Sequence, residues 1–219
     1  TTIPAPRTRE LREVVVAMNQ LSAAVRDMLG EESEKLDQLR RRLQHDGVTG
    51  VLKREAFLAQ LQIHLESQDS RASGTLALVR LARLADINEQ LGHGETDTLL
   101  HALASSLDQF GKVLGGGVVG RLNGSDFVLL LPGVHDLEQL QHELGKRLAS
   151  LREQGQVPLG LPASLIDYAQ GDQRGGLLAS LDGALAAAET RGDHSLVIAQ
   201  GPQRRSLFTS HGEWRRALQ

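Results

Sequence analysis

Residues 8–45 contain no proline and a single glycine, Gly30. Within that stretch apolar residues stand at Leu11, Val14, Met18, Leu21, Val25 and Met28, at spacings of 3, 4, 3, 4 and 3. This is the seam of a long α-helix that meets another helix. A second seam runs through Leu36, Leu39 and Leu43. Val25 and Leu36 are 11 residues apart, the offset that a four-residue insertion puts into a heptad repeat. The segment Gly30-Glu31-Glu32-Ser33 marks the change of phase. The seams predict a helix that pairs most simply with its own copy, as a parallel coiled-coil homodimer. The alternative is an amphipathic helix folded back on its own domain, which would place the arginine- and glutamate-rich remainder badly in a core.

From about residue 46 the pattern changes. Residues 75–81 read as a buried strand, and 56–61, 84–91 and 96–110 as helices, the last with Leu99, Leu100, Leu103 and Leu107 on one face. Residues 118–122 and 127–131 are apolar runs around the Gly-containing turn Asn123-Gly124-Ser125-Asp126, which predicts a hairpin. A helix is expected over 136–153, a strand over 159–168, a helix over 175–190 and a last strand over 195–199. Alternating strands and helices define an α/β domain with one main sheet. Residues 201–219 read as a linker whose Trp214 is a packing residue.

Composition narrows the function classes. Hydrophobic residues make up 40% of the chain but aromatics only 3%, so the core must be built from Leu, Val and Ala. The net charge of −3 argues against a nucleic-acid footprint. The chain has no cysteine, which excludes disulfides and thiolate metal sites and suits a cytosolic compartment. No apolar run is long enough to span a bilayer. The start, Thr1-Thr2-Ile3-Pro4-Ala5-Pro6, resembles neither a signal peptide nor an initiation site, and predicts a soluble piece of a longer protein. The eight histidines, His45, His64, His93, His101, His135, His142, His194 and His211, show no metal-ligand spacing. Gly115-Gly116-Gly117 lacks the Lys-Ser/Thr of a phosphate loop and reads as a turn. Arg40-Arg41-Arg42 reads as a solvated helix face.

Five short segments carry a resemblance. Asp46-Gly47-Val48-Thr49-Gly50-Val51-Leu52-Lys53-Arg54 is similar to the D-x-L-T-G-L-x-N-R that opens the GGDEF (diguanylate cyclase) domain. Asn88-Glu89-Gln90-Leu91-Gly92-His93 is similar to its N-D-x-x-G-H, and Asp97-Thr98-Leu99-Leu100 to its G-D-x-L-L. Arg121-Leu122-Asn123-Gly124-Ser125-Asp126-Phe127 stands where that family has R-x-G-G-D-E-F. Asp182-Gly183-Ala184-Leu185 stands within its A-D-x-A-L-Y-x-A-K. The order and spacing hold over residues 46–200. The resemblance implies a central, mostly antiparallel sheet flanked by helices, here preceded by the long coiled-coil helix of residues 1–45.

The resemblance also implies a chemistry, the joining of two GTP molecules into cyclic di-GMP. Such phosphoryl transfer depends on positioning and on charge neutralisation by Mg²⁺, which takes hard oxygen ligands. The family draws these from a D-x-D at the end of its first core strand and from the acidic pair of the hairpin. In register with Asn88, those strand positions are Arg80 and Ala82, and the hairpin pair is Ser125 and Asp126. A cation about 4 Å from a unit charge is worth roughly 4 kcal/mol at an effective dielectric near 20, so Arg80 opposes a divalent metal. The lysine and arginine that face the triphosphate in the family align with Glu189 and Asp193, and its product-inhibition R-x-x-D with Leu114 and Gly117. The implied reading is a degenerate domain that is not an enzyme and holds no metal or cofactor. Asn88 and Asp97 match the residues that hydrogen-bond guanine in active relatives; helix capping and turn structure are the alternative. Arg80 is expected to pair with Asp126 across the old metal slot.

The flanks extend the resemblance. Pro4-Ala5-Pro6, Glu10-Leu11 and Met18-Asn19 look like the second half of a HAMP linker, and Gly212-Glu213-Trp214-Arg215-Arg216-Ala217-Leu218 resembles the lead into an EAL domain. The order sensor, HAMP, helix, degenerate GGDEF, EAL is similar to that of LapD-type receptors. It implies a cytoplasmic portion of a bacterial inner-membrane protein that responds to cyclic di-GMP, controls adhesion and biofilm, and engages a diguanylate cyclase. The other function implied is an allosteric GTP-binding domain on an active cyclic di-GMP phosphodiesterase.

Overall fold

The computed structural model describes residues 9–68, 73–155, 157–192 and 194–201, with side chains from Val14 onward. The expected HAMP start at Pro4-Ala5-Pro6, the side chains of Glu10 and Leu11, the residue Asp193, and the linker with Trp214 and the EAL-like lead lie outside the described residues. The chain divides into two units, one ending at His45 and the other beginning at Asp46.

The first unit is a single helix, α1 (Arg9–Gln44), which runs 36 residues. It passes through Gly30 without interruption, so the change of heptad phase occurs inside continuous helix. Val14, Met18, Leu21, Val25 and Met28 are exposed along it, as are Leu36, Leu39 and Leu43.

The second unit is an α/β domain. Its elements are β1 (Leu52–Lys53), α2 (Arg54–Glu66), β2 (Gly74–Arg80), α3 (Leu84–Leu91), α4 (His93–Val113), β3 (Val118–Arg121), β4 (Asp126–Pro132), α5 (Leu137–Gln154), β5 (Ala163–Tyr168), α6 (Arg174–Arg191) and β6 (Leu196–Ile198). They form one six-stranded sheet in the order β1-β3-β4-β2-β5-β6. The three inner ladders are antiparallel and the two outer ones parallel.

Strand β2 sits near the middle and is buried on both faces. Successive side chains of a strand alternate between faces. Ala77 and Val79 therefore pack with Leu100, Leu103 and Leu107 of α4 and Leu140, Leu144 and Leu148 of α5. Leu76 and Leu78 pack on the other face, with Phe57, Leu61 and Leu65 of α2 and Leu177, Leu181 and Leu185 of α6. Each such leucine contributes about 1.5–3 kcal/mol on burial. Arg80 continues the row of Leu76 and Leu78, so it emerges beneath α6.

The α2–α6 face is closely fitted at one position and polar at another. A Cβ on Gly120 of β3 would stand 2.5 Å from the Phe57 Cβ, so α2 can lie against the sheet only because that position has no side chain. The Tyr168 side chain is 1% exposed, and its hydroxyl has no hydrogen-bond partner among the described residues. Burial pushes its pKa up to about 12.

Two expected boundaries and one unexpected element need correction. The strand expected over 159–168 begins only at Ala163. Pro158 and Pro162 have no N–H to give a ladder, and the Gly160 and Pro162 carbonyls instead accept from the backbone N–H groups of Ala82 and Arg80. The helix expected from 96 starts at His93. The two-residue strand β1, parallel to β3, was not expected, because two residues are too few to show a periodicity.

Candidate functional site

The antiparallel register of β2 and β4 sets Arg80 opposite Asp126. The Arg80 Nε donates to Asp126 Oδ1 at 2.6 Å and its Nη2 to Oδ2 at 2.8 Å. This is the fork-on-fork pairing in which arginine and carboxylate match best. Asp126 is 5% exposed. The pairing expected from the sequence is therefore present, and Arg80 does not swing out to solvent.

Two further carboxylates close around the same guanidinium. Arg80 Nη1 donates to both Glu189 oxygens, at 3.3 and 3.2 Å, and Nη2 reaches Asp182 Oδ1 at 3.4 Å. Both acids belong to α6, seven residues and hence about two turns apart, so they share one helix face. Sequence reasoning placed Glu189 only as a repulsive charge and missed Asp182 as a partner; the two-turn spacing was the available signal. One cation against three carboxylates leaves the cluster formally at −2.

The hairpin loop is bonded from within. Asn123 Oδ1 accepts from the backbone N–H groups of Ser125 and Asp126, at 2.9 and 2.8 Å, and Asn123 Nδ2 donates to Asp126 Oδ2 at 2.7 Å. The Ser125 hydroxyl donates to Asp126 Oδ1 at 3.2 Å. Burial pushes the Asp126 carboxyl up, but the hydrogen bonds from Arg80 and Asn123, the charge of Arg80 and the Ser125 hydroxyl outweigh it. The result is a carboxyl below its ordinary range. The Arg80 guanidinium is correspondingly raised, first by its bond to Asp126.

A second ion pair ties this loop to the start of the domain. Arg121 Nη1 donates to Asp46 Oδ1 at 2.9 Å, its Nε to the Asn123 carbonyl at 3.2 Å and its Nη2 to the Gly124 carbonyl at 2.7 Å. Its guanidinium carbon also lies 5.8 Å from the centroid of the Phe127 ring. Asp46 Oδ1 further accepts from the Thr49 backbone and hydroxyl, at 2.9 and 2.7 Å.

The Mg²⁺ that this architecture implies does not fit these residues. Both Asp126 oxygens are taken by Arg80, Asn123 and Ser125. Ala82 offers no side-chain oxygen and is itself buried. A guanidinium stands where a divalent cation would have to be balanced by carboxylates.

The possible guanine seat has a different character. Asn88 is half-buried on α3 and Asp97 is exposed on α4. Neither side chain has a hydrogen-bond partner among the described residues, and neither caps a helix. The residue between α3 and α4 is Gly92, and no side-chain cap is made there. The Asn88 carbonyl, by contrast, accepts from the Gly92 N–H in the turn that ends α3. The Gly115-Gly116-Gly117 turn closes α4, with the Gly116 and Gly117 N–H groups both donating to the Gly111 carbonyl. Among the described residues no helix is long and apolar enough to cross a membrane.

Comparison with known proteins agrees with this architecture. The probable diguanylate cyclase DgcE of Escherichia coli (strain K12) is 34% identical over 103 residues, which cover 47% of this chain and 9% of that protein. The chain thus matches under a tenth of that relative's length. A Vibrio cholerae LapD structure comprising S helix, GGDEF and EAL, bound to c-di-GMP, superposes with a TM-score of 0.65 at 17% identity. The match covers 87% of this chain and 44% of that one. The coiled coil and GGDEF domain of DgcB from Caulobacter crescentus, in complex with c-di-GMP, gives 0.64 at 20% identity, covering 82% and 99%. The family model for the diguanylate cyclase GGDEF domain matches residues 43–194, so the chain belongs to the GGDEF family.

Proposed function

We propose that this chain is a catalytically inactive GGDEF module of a transmembrane cyclic di-GMP receptor, relaying conformational signals through dimer and helix geometry. The observation that carries this reading is the Arg80 fork on Asp126. Catalysis by this family rests on metal-assisted phosphoryl transfer, and here the remaining carboxylate is already neutralised by an internal cation. Glu189, where the family has a triphosphate-facing lysine, adds negative charge to the same cluster.

The likeness to the Vibrio cholerae LapD structure, whose chain also contains an S helix and an EAL domain, supports the receptor setting. In that setting a HAMP linker precedes α1, an EAL domain follows, and the chain lies on the cytoplasmic side of a bacterial inner membrane. Its output is control of adhesion and biofilm, and a diguanylate cyclase is a further partner. The exposed seam of α1 supports pairing with a second copy. Sedimentation of the whole chain is expected to show a dimer that Leu21→Glu with Leu39→Glu converts to monomer.

The direct test is incubation of the purified chain with GTP and Mg²⁺ or Mn²⁺. No cyclic di-GMP is expected; formation above a no-protein control overturns the reading. A second reading, an allosteric GTP-binding domain of an active phosphodiesterase, is favoured by Asn88 and Asp97, whose side chains are unpartnered among the described residues. Calorimetry separates the two: micromolar GTP binding abolished by Asn88→Ala selects the second, and no binding heat selects the first.

A further inference from the structure

A cleft of about 160 Å³ opens between the end of α3, the first half of α4 and the segment that joins α5 to β5. Its wall is mainly apolar, formed by Leu91, Leu99, Val157 and Leu159. Leu159 is buried and the other three are half-buried, all of them continuous with the core on the α4–α5 face of the sheet. A cavity of about 150 Å³ with such a lining takes up benzene, so this one accepts an aromatic ring.

The polar part of the lining says what else the occupant carries. Glu95 supplies the only charge, and its carboxylate has no partner among the described residues. Gln154 Nε2 donates to Ser150 Oγ at 3.1 Å, which leaves the Gln154 amide oxygen to accept. An aromatic ring with an N–H, next to a cation, matches this set.

The chain holds such a group. Trp214 is its only tryptophan, and Arg215 and Arg216 follow it directly. A tryptophan buries about 150–250 Å² of surface when it packs, and its indole N–H then takes a hydrogen-bond acceptor. Charge selects this cleft over its neighbours. The one between α4 and α5 holds Arg147, and the one beside α2 and α6 holds Arg54, so two more arginines suit neither as well.

The chain is also long enough. Gly201, the last described residue, stands beside Asp167 of β5, where an added Cβ would meet Asp167 Oδ1 at 3.1 Å. Asp167 is 8 residues from Leu159, at most about 28 Å of extended chain. From Gly201 to Trp214 is 13 residues, which span up to about 45 Å.

We propose that Trp214 docks into this cleft of its own domain, with its indole on Leu91, Leu99, Val157 and Leu159, its N–H donating to Gln154 and the arginines after it facing Glu95. Seated there, it returns the segment after β6 across the α4–α5 side and fixes where the chain leaves the domain. The hairpin, Arg80 and the α1 seam take no part, so the contact does not depend on whether the domain is catalytically inactive.

The test is the fluorescence of the whole chain, in which Trp214 is the sole tryptophan. Its emission is expected to lie to the blue of free tryptophan amide and to be protected from acrylamide. Ala102→Glu places a charge in the cleft from an exposed position of α4 and should shift the emission to that of a solvated indole. Ala59→Glu, on the exposed side of α2, should leave it unchanged. A solvated emission in the native chain, a blue emission that survives Ala102→Glu, or an equal shift in both variants overturns the proposal. So does a blue emission lost on dilution, which would put Trp214 between copies. If Ala102→Glu does not fold, as read by circular dichroism, Trp214→Ala replaces it with an NMR readout. Moved amide resonances at Thr98, Leu99 and Val157 support the docking, and unmoved ones overturn it.

Discussion

Asp46 and Arg121, 75 residues apart in sequence, meet in a 2.9 Å ion pair. The pair joins the first turn of the domain to the loop of the β3–β4 hairpin. Arg121 simultaneously holds two loop carbonyls, so one guanidinium links the loop to residue 46.

This pair predicts an acid-sensitive fold. Burial pushes the Asp46 carboxyl up, but hydrogen bonds from the Thr49 hydroxyl, the Thr49 backbone and Arg121, with the charge of Arg121, hold it below the ordinary range. Asp126 is displaced in the same direction. A carboxyl that is more acidic folded than unfolded contributes stability above its unfolded pKa and loses it as pH falls through the folded value. Urea midpoints should be flat from neutrality to about pH 5 and fall below about pH 4. Asp46→Asn should lower the plateau and make the acid fall shallower; an equally steep fall would refute the assignment.

Arg80 and Asp126 should be strongly coupled. Arg80→Met leaves a carboxylate buried without its cation, at a cost of about 3–5 kcal/mol. Arg80→Met with Asp126→Leu removes both charges and should recover much of that loss. A double-mutant cycle by urea denaturation measures the coupling. Additive effects would show that the fork contributes nothing beyond its separate halves.

Replacing the cation by an anion should create metal dependence. Arg80→Asp places a new carboxylate among Asp126, Asp182 and Glu189, and their repulsion should lower the melting temperature. Because a ligand that binds only the folded state stabilises it, added MgCl₂ should raise the melting temperature of Arg80→Asp and leave the native chain unchanged. An equal response of both proteins would show that Arg80 is not what keeps a divalent cation out of the slot.

Tyr168→Phe should stabilise the domain. A buried hydroxyl without a partner forfeits about 1–3 kcal/mol of solvation, and the phenyl ring keeps the packing against the α2–α6 face. Thermal unfolding should shift upward by a few degrees. A downward shift would reveal a hydrogen bond at that hydroxyl.

The elements with long apolar periodicity were legible in the sequence: α1 through its heptads, α5 through Leu140, Leu144 and Leu148, and the hairpin through two apolar runs around Asn123-Gly124-Ser125-Asp126. Arg80 opposite Asp126 was legible as well, because family spacing places those residues at adjoining strand ends. What escaped depends on side-chain direction in three dimensions. The two-turn spacing of Asp182 and Glu189 puts them on one face of α6, but that this face turns toward Arg80 depends on where α6 crosses the sheet, which no local pattern encodes. The late start of β5 was written in Pro158 and Pro162 but masked by the apolar residues between them. Asn123 stands where the family has a glycine, and its amide is what closes the loop.

An ion that arrives from solution can also leave, and its occupancy follows supply. The guanidinium of Arg80 is tethered to the backbone of β2, so the joint it makes between sheet and α6 is assembled once, at folding. No chelator can strip it and no change in free magnesium can titrate it. Only movement of the chain itself, at the strand ends or along α6, can open that joint.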